Sequence, residues 1–311
     1  SDFFFFLPQT RCRIYWQKVL AGATQLVITE AVVVAAAFGL ASVFNAGDYI
    51  LFYGQGVVKW NYDNQKKSFV HTLNHYSSEG YYFITSDVGE GRRIETVKIT
   101  PPTGATVLDV TEFSDYQHHE LEKLNLGKTG KVFYGEEFNM SPLSYNFNFN
   151  FPNIVNAPVK AFVDLAVTAG TTSSFSLKLN DGQAATIPVS SKSQETYTLG
   201  YGVSETLSFA NSNSTLNFLL SFSKTASYQK AYLNYLEVNV RRKLIMTGNV
   251  MFFRNVDNYL KYNYNRYQIE SAGANVQIWD ITDPVNAQQI ETTRNGNLLE
   301  FIDSNASVKE Y

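Results

Sequence analysis

Residues Tyr145-Asn-Phe-Asn-Phe-Asn-Phe151 alternate aromatic and amide side chains without interruption. Successive side chains of a β-strand point to opposite faces, so this stretch predicts a strand with one aromatic and one amide face. The aromatic face must pack against a hydrophobic core, while the amide face can meet water. The amide face consists of Asn146, Asn148 and Asn150, which we expect to form a contact surface.

Similar runs follow this strand at the short, regular spacing that is typical of a β-sandwich. They cover 159–168, 174–180, 184–190, 195–199, 205–210, 214–223 and 231–241. The sequence Asn180-Asp-Gly182 between two of them indicates a hairpin turn, because glycine tolerates a positive φ. Residues 130–245 are therefore predicted to form a jelly-roll-like antiparallel β-sandwich.

The residues before the sandwich, 46–129, are predicted to form a β-rich N-terminal domain of mixed sheets with one short helix. Apolar or alternating runs indicate strands at 49–53, 81–84 and 93–100. The helix is predicted within Asp115–Leu126, which contains His-His-Glu-Leu-Glu-Lys-Leu and precedes a glycine that would cap it.

The residues after the sandwich, 246–311, are expected to return to the N-terminal domain as a β segment. Strands are predicted at 244–254 and 266–270 and in the run that leads into Trp279. Residues 1–45 carry no pattern that assigns them to either domain. The predicted fold class is mainly β.

The composition excludes several classes of function. The 311 residues have a net charge of −3, so no basic surface for nucleic acid is expected. The single cysteine, Cys12, excludes an intrachain disulfide and a cysteine zinc cluster. Residues 27–44 are almost entirely apolar and nearly long enough to cross a bilayer, but Glu30 and the lack of basic flanking residues favour a buried segment.

Two groups of side chains could hold a metal ion. His118 and His119 lie beside Glu120 and near Asp115, although adjacent histidines usually point apart and a solvated surface explains them equally well. Asp280 and Asp283 in Trp279-Asp-Ile-Thr-Asp-Pro284 could bind calcium through their oxygens. Aspartate before proline more often forms a turn that closes a strand. No cofactor is predicted.

No catalytic residue is predicted in this chain. Glu136 and Glu137 are candidate carboxylates for glycoside hydrolysis, but neighbours on a strand face opposite sides, whereas the two acids must flank one bond. Gly127-Lys-Thr129 lacks the first glycine of a phosphate-binding loop. The chain contains no His-Gly dipeptide that could accompany Cys12 in a cysteine-peptidase site.

Several short motifs occur in a defined order along the chain. They are Asp48–Gly56, Lys59-Trp60, His71-Thr-Leu-Asn74, Tyr76-Ser77, Tyr81–Phe83, Gly135–Phe138, Arg242–Leu244, Phe252–Arg254 and Trp279–Pro284. This set resembles the region upstream of the catalytic domain in the gingipain-like cysteine peptidases that act as PorU-like sortases of type IX secretion.

The resemblance implies a protein of the cell surface, associated with the outer membrane. Sortases of this family remove the C-terminal secretion signal of cargo proteins and work with a PorV-like outer-membrane barrel. The resemblance also implies that a peptidase domain, which this chain would shield, position or dock, begins shortly after a segment like Val308–Tyr311. The asparagine face and the histidines His118 and His119 are the expected interaction residues.

Two further hypotheses stay open at this point. A carbohydrate-binding or adhesive cell-surface β-sandwich would need an exposed patch of aromatic side chains. A β-sandwich glycosidase would need two carboxylates facing one cleft.

Overall fold

The computed structural model describes residues 4–6, 30–32, 51–85, 93–128, 130–168, 170–192, 199–211, 213–257, 259 and 263–311. Cys12 and nearly all of the apolar run 27–44 lie outside the described residues, as does most of the predicted strand 195–199. The described chain is built from strands and turns, which confirms the mainly-β prediction. No helix in these ranges is long and apolar enough to cross a membrane.

The strands of the described ranges have the following bounds: β1 Phe4–Phe6, β2 Glu30–Val32, β3 Tyr53–Gln55, β4 Val58–Asp63, β5 Ser68–Leu73, β6 Phe83–Thr85, β7 Glu95–Val97, β8 Val107–Val110, β9 Glu112–Glu120, β10 Glu137–Phe138, β11 Ser144–Asn150, β12 Val159–Val167, β13 Ser173–Leu179, β14 Ala185–Val189, β15 Tyr201–Phe209, β16 Thr215–Lys224, β17 Ala231–Lys243, β18 Tyr264–Ile269, β19 Ile278–Asp280, β20 Gln288–Ile290, β21 Thr293–Asn295 and β22 Leu298–Ser304.

Two antiparallel sheets form a sandwich. One has the order β10-β17-β12-β15, with β9 also paired to β17, and the other has the order β11-β16-β13-β14. Their facing side chains share one core, in which Phe147 and Phe149 are buried while Asn146 and Asn148 on the same strand are exposed. The predicted separation of the aromatic and amide faces is therefore confirmed.

The predicted hairpin turn is also present. Asn180 has a φ of 48°, and the backbone N–H of Gly182 donates to the carbonyl of Leu179 at 3.0 Å. The turn joins β13 to β14, which pair in antiparallel register. Asparagine tolerates this left-handed conformation better than most residues, so the local sequence determines the turn.

The predicted helix within Asp115–Leu126 is wrong. Its first half belongs to β9, which pairs with β17 from Glu112↔Lys243 to Glu120↔Tyr235. The helix prediction rested on local propensity, whereas pairing with a strand more than 100 residues away satisfies the backbone of this segment along nine register positions. The sandwich sheet therefore includes residues from before position 130.

The predicted strand at 244–254 is wrong as well. Only isolated bridges occur there, including Ile245↔Glu270 and Ser114↔Arg254. Gly248 has a φ of 69°, which turns the chain away from an extended path. The predicted strand 93–100 is shorter than expected and forms only β7.

A second core lies beside the sandwich. It is surrounded by the sheets β21-β22-β18-β8 and β19-β20-β7. Phe253, Tyr267, Phe301 and Tyr311 pack together in this core. Strand β18 pairs in parallel with β8, and β20 pairs in parallel with β7, so residues after the sandwich share sheets with residues before it.

The hairpin of β4 and β5 packs on the outer face of the sandwich sheet. Trp60 and Phe69 contact the ring of Tyr116 on β9 at centroid distances of 4.3 Å and 4.6 Å. Asn239 on β17 accepts a hydrogen bond from the backbone N–H of Phe69 at 2.6 Å and donates to its carbonyl at 3.0 Å. These contacts fix the position of β5 over β9 and β17.

Candidate functional site: a buried histidine between two glutamates

His71 on β5 lies between two carboxylates of the sandwich sheet. Its Nδ1 is 2.6 Å from Oε1 of Glu237, and its Nε2 is 2.5 Å from Oε2 of Glu120. The backbone N–H of His71 also donates to Oε1 of Glu237 at 2.7 Å. The exposed fractions of the three side chains are 3% for His71, 1% for Glu237 and 9% for Glu120, so the group is buried.

The electrostatics of the group favour a protonated His71. Burial alone would lower the pKa of His71, but the hydrogen bonds and charges of Glu120 and Glu237 outweigh it and raise the pKa to about 9. Each ring nitrogen can therefore donate to one carboxylate. Replacing the histidine would leave two buried carboxylates without this partner, which is costly.

His118 stacks on His71. The two rings are 4.1 Å apart with an interplanar angle of 22°, and Trp60 meets His118 edge-on at 5.5 Å. Burial lowers the pKa of His118 to about 3, and the charges of His71 and His119 add to the effect. His118 is therefore neutral at physiological pH and has a lone pair available on its ring.

The group opens into a cleft of about 660 Å³. His71, Glu120 and Tyr235 form part of its wall, and the loop at 74–78 and the segment at 130–133 form its rim. Glu122 also faces the cleft. Burial, followed by the hydrogen bond and the charge of Glu120, raises the pKa of Glu122 to about 7.

The structure separates the residues that the sequence grouped around His118. His119 points to the opposite face of β9, where its Nε2 is 2.8 Å from Oε1 of Glu136 and its ring packs on Phe147. Asp115 lies on that same face and pairs with Arg242 at 2.6 Å. Sequence reasoning missed His71 and Glu237 as partners of this strand.

A signal for part of the group was present in the sequence. His118 and Glu120 are two residues apart, a spacing that places both side chains on one face of a strand. The signal could be read only if 112–120 had been recognised as a strand. Glu237 lies 166 residues after His71, and no local pattern connects the two.

The aspartates of Trp279–Pro284 make the hydrogen bonds of turns. Asp280 Oδ1 accepts from the backbone N–H of Thr282 at 3.0 Å, and Asp283 Oδ1 accepts from that of Val285 at 3.1 Å. The other oxygen of Asp280 lies 3.1 Å from Nζ of Lys309. A calcium ion at these two aspartates would therefore compete for their oxygens with backbone N–H groups and, at Asp280, with the ammonium group of Lys309.

Glu136 and Glu137 point in different directions. Glu136 bonds to His119, while Glu137 lies 3.0 Å from Nζ of Lys230 at a half-exposed position. Asn146, Asn148 and Asn150 are exposed on β11, which is an edge strand of its described sheet. The contact role of the asparagines stays a prediction.

The motif Trp279–Pro284 holds the segment 308–311 in place. The backbone N–H of Ile281 donates to the carbonyl of Glu310, and the N–H of Glu310 donates to Oγ1 of Thr282, each at 2.9 Å. Lys309 Nζ lies 2.7 Å from both oxygens of Asp303, whose side chain is fully buried. We call these interactions the C-terminal clamp.

Two further contacts complete the C-terminal clamp. Glu310 forms an ion pair with Arg254, which also donates to the carbonyl of Trp60. Tyr311 is 4% exposed, stacks on Phe253 at 5.1 Å and donates its hydroxyl to Asp303 at 2.8 Å. The segment 308–311 is therefore an integral part of the second core.

Comparison with known proteins finds a similar fold among solved structures. No family model matches the chain, and no curated protein matches it significantly. Among solved structures it is similar to dimeric latent PorU from Porphyromonas gingivalis, with a TM-score of 0.75 and 20% identity over 90% of this chain. The chain spans about a quarter (26%) of the length of that protein. The similarity shows a PorU-like fold.

Other solved structures are similar at lower scores. They include a CBM36 carbohydrate-binding module in complex with calcium and xylotriose, with a TM-score of 0.29 and 15% identity over 40% of this chain and 98% of that one. The CBM36-1 domain of a multidomain xylanase from the hindgut metagenome of Trinervitermes trinervoides has a TM-score of 0.28 and 11% identity over 45% of this chain and 98% of that one. Scores this low carry no argument about function.

Proposed function

We propose that this chain is the non-catalytic β region of a PorU-like sortase and that it positions a cysteine peptidase domain. Two observations support the proposal. The fold is PorU-like over 90% of the chain, and the short motifs quoted above occur in the order that the family shows. The proposal includes a location at the cell surface, associated with the outer membrane, and a PorV-like barrel and secreted cargo as partners.

The C-terminal clamp is the part of the structure that would position the peptidase domain. The family resemblance implies a peptidase domain after a segment like Val308–Tyr311, and this segment is held by two backbone hydrogen bonds to Phe253 at 3.0 and 3.1 Å. Buried ion pairs of Lys309 and Glu310 restrict it further. A domain attached to a rigid segment inherits the orientation of that segment, so the clamp would align the peptidase with the β region.

The glycan-binding alternative needs an exposed patch of aromatic side chains, and the aromatic stripe of β11 does not supply it. The side chains of Phe147, Phe149 and Phe151 are buried in the core of the sandwich, where they cannot stack on a sugar ring. The large aromatic side chains exposed on the described surface are Tyr76, Tyr81 and Tyr228. The positioning role therefore has the stronger support.

The proposal is tested on the complete gene product and on this chain alone. The chain alone should show no thiol-dependent peptide cleavage, while the complete protein should cleave cargo that carries a C-terminal signal. K309M, which removes the ammonium group from Asp303 and Asp280, should lower kcat/KM for folded cargo more than for a short peptide, because alignment matters most for a large substrate. K243M, the same change at an exposed lysine outside the C-terminal clamp, is the matched control.

Two results would overturn the proposal. The first is a gene that encodes no cysteine peptidase domain together with this chain. The second is a K309M protein, folded by circular dichroism, that processes cargo at the rate of the unmodified protein.

A further inference from the structure

We propose that His71, His118 and Glu120 form a binding site for one zinc ion. This site lies in the sandwich sheet and in the β4–β5 hairpin, and the inference does not rest on the sortase proposal. The potential ligand atoms of these three residues all lie within 4.8 Å of one another. Two imidazoles and a carboxylate are a ligand set that zinc adopts in proteins.

The fold brings the three side chains together from two elements. His118 and Glu120 are two residues apart on β9 and therefore share one face. His71 reaches the same point from β5, which is fixed on the sheet by the hydrogen bonds between Phe69 and Asn239. Ligands on strands that are held by packing and by backbone pairing lose little freedom when they bind an ion.

Glu237 supplies the support that a metal-binding histidine requires. It accepts from Nδ1 of His71 and from the backbone N–H of the same residue, which leaves Nε2 directed at Glu120. Histidine ligands commonly donate their second ring nitrogen to a carboxylate, which orients the ring and makes the ligand more basic. This arrangement is present here before any ion binds.

The local charge also favours a cation. The negative charges of Glu120 and Glu237 both act on Asp164, and His71 provides a positive charge against the two glutamates. The second oxygen of Glu237 is buried and has no hydrogen-bond partner among the described residues. A divalent ion that replaces the Nε2 proton of His71, which is released to solvent, would compensate this excess of negative charge better than the imidazolium does.

His118 is available as the third ligand. Its ring stacks on His71 and meets Trp60 edge-on, and its nitrogens form no hydrogen bond with another described residue. Metal ligation gives the His118 ring nitrogen a partner.

Zinc binding requires the side chains to rearrange, because their ligand atoms lie up to 4.8 Å apart and the His118 ring must tilt out of its stack on His71 to direct a nitrogen at the same ion. Tetrahedral zinc with bonds of about 2.0–2.2 Å places its ligand atoms about 3.3 Å apart. Nε2 of His71 and Oε2 of Glu120 are now 2.5 Å apart, so these side chains would separate by less than ~1 Å. The fourth ligand position would face the cleft, where water and Glu122 are candidates.

The experiment titrates zinc into metal-free protein and compares single variants by isothermal calorimetry. The unmodified protein should bind one zinc per chain. H118A and E120Q should each weaken binding at least 100-fold, and E237Q should weaken it about 10- to 100-fold because Glu237 only orients His71. H75A is the matched control, since His75 is an exposed histidine on the rim of the same cleft, and it should bind as the unmodified protein does.

A second measurement covers the case in which a variant does not fold. Cobalt bound to the unmodified protein should show the intense visible d–d absorption of a tetrahedral site with nitrogen and oxygen ligands. Absence of a 1:1 zinc complex, or of the tetrahedral cobalt spectrum, would mean that His71 only links two glutamates. Equal zinc affinity of the unmodified protein and folded H118A or E120Q would likewise overturn the proposal.

Discussion

Nδ1 of His71 lies 2.6 Å from Oε1 of Glu237, and the two residues are 166 positions apart in the chain. This contact joins the β4–β5 hairpin to β17, which is the central strand of a sandwich sheet. Because the pair is buried, it is screened little by solvent. The contact therefore links the folding of residues before the sandwich to the sandwich itself.

The first prediction concerns the pH dependence of this link in metal-free protein. H71Q should lower the free energy of unfolding by about 3–5 kcal/mol near pH 6, because two buried carboxylates lose their partner. The folded pKa of about 9 lies above the ordinary value of 6.5. The stabilisation is therefore complete below pH 6.5 and is lost as the pH rises through 9, by an amount of the order of 3 kcal/mol.

Urea unfolding of both proteins from pH 6 to pH 10, with a chelator present, measures this difference. The titratable groups that face His71 are Glu120, Glu237, His118 and Tyr235, with Glu122 nearby. The raised pKa of Glu122 also makes stability fall as the pH rises, but near pH 7. Both proteins contain Glu122, so the difference between them near pH 9 reports the titration of His71. H75Q, at an exposed histidine, should follow the unmodified protein, and a constant gap between H71Q and the unmodified protein would contradict the prediction.

The second prediction concerns the strand whose pattern indicated the sandwich. F147A should lower the free energy of unfolding by about 3–5 kcal/mol, since Phe147 is 5% exposed and its removal leaves a cavity. N148A, on the next residue and the opposite face, should change it by less than about 0.5 kcal/mol. Chemical denaturation checks both values, and similar losses for the two variants would mean that the asparagine face is also packed.

This strand shows why part of the fold could be predicted from the sequence. The alternation from Tyr145 to Phe151 is local, and burying one face of a sheet requires that alternation whatever strand lies beside it. The same holds for the turn at Asn180–Gly182, whose backbone conformation depends on its own residues. Strand β9 differs, because its polar sequence becomes a strand only through pairing with β17.

The third prediction concerns the ion pair of Arg254 and Glu310. R254M should lower the free energy of unfolding by about 3–5 kcal/mol, since it leaves the largely buried carboxylate of Glu310 unpaired. The double variant R254M/E310Q should recover part of this loss, because no uncompensated charge remains.

R266M is the matched control for this pair. Arg266 and Asp109 are 3.2 Å apart and are 42% and 57% exposed, so their pair should contribute less than about 1 kcal/mol. Thermal unfolding of the four proteins at one pH makes the comparison. If R254M and R266M lose equal stability, Arg254 does not have the role that the C-terminal clamp assigns to it.

The candidate site could be predicted from the sequence only in its separate parts. His118 and Glu120 were recognised as possible ligands, but they were grouped with His119 and Asp115, which point to the other face of β9. His71 and Glu237 enter the site through the packing of a hairpin on a sheet. That packing depends on contacts such as Phe69 with Tyr116, between residues that no sequence spacing relates.

The fourth prediction concerns the effect of metal on stability. An ion that binds the folded chain alone stabilises it by an amount set by its concentration relative to Kd, about 2.7 kcal/mol at a 100-fold excess. Zinc should therefore raise the Tm of the unmodified protein by several degrees, and a chelator should reverse the change. Magnesium should have no such effect, because it prefers oxygen ligands in octahedral geometry. E120Q should show no rise with zinc, whereas H75A should show the full rise. A rise that magnesium also produces, or one that E120Q retains, would show that the ions act elsewhere on the protein.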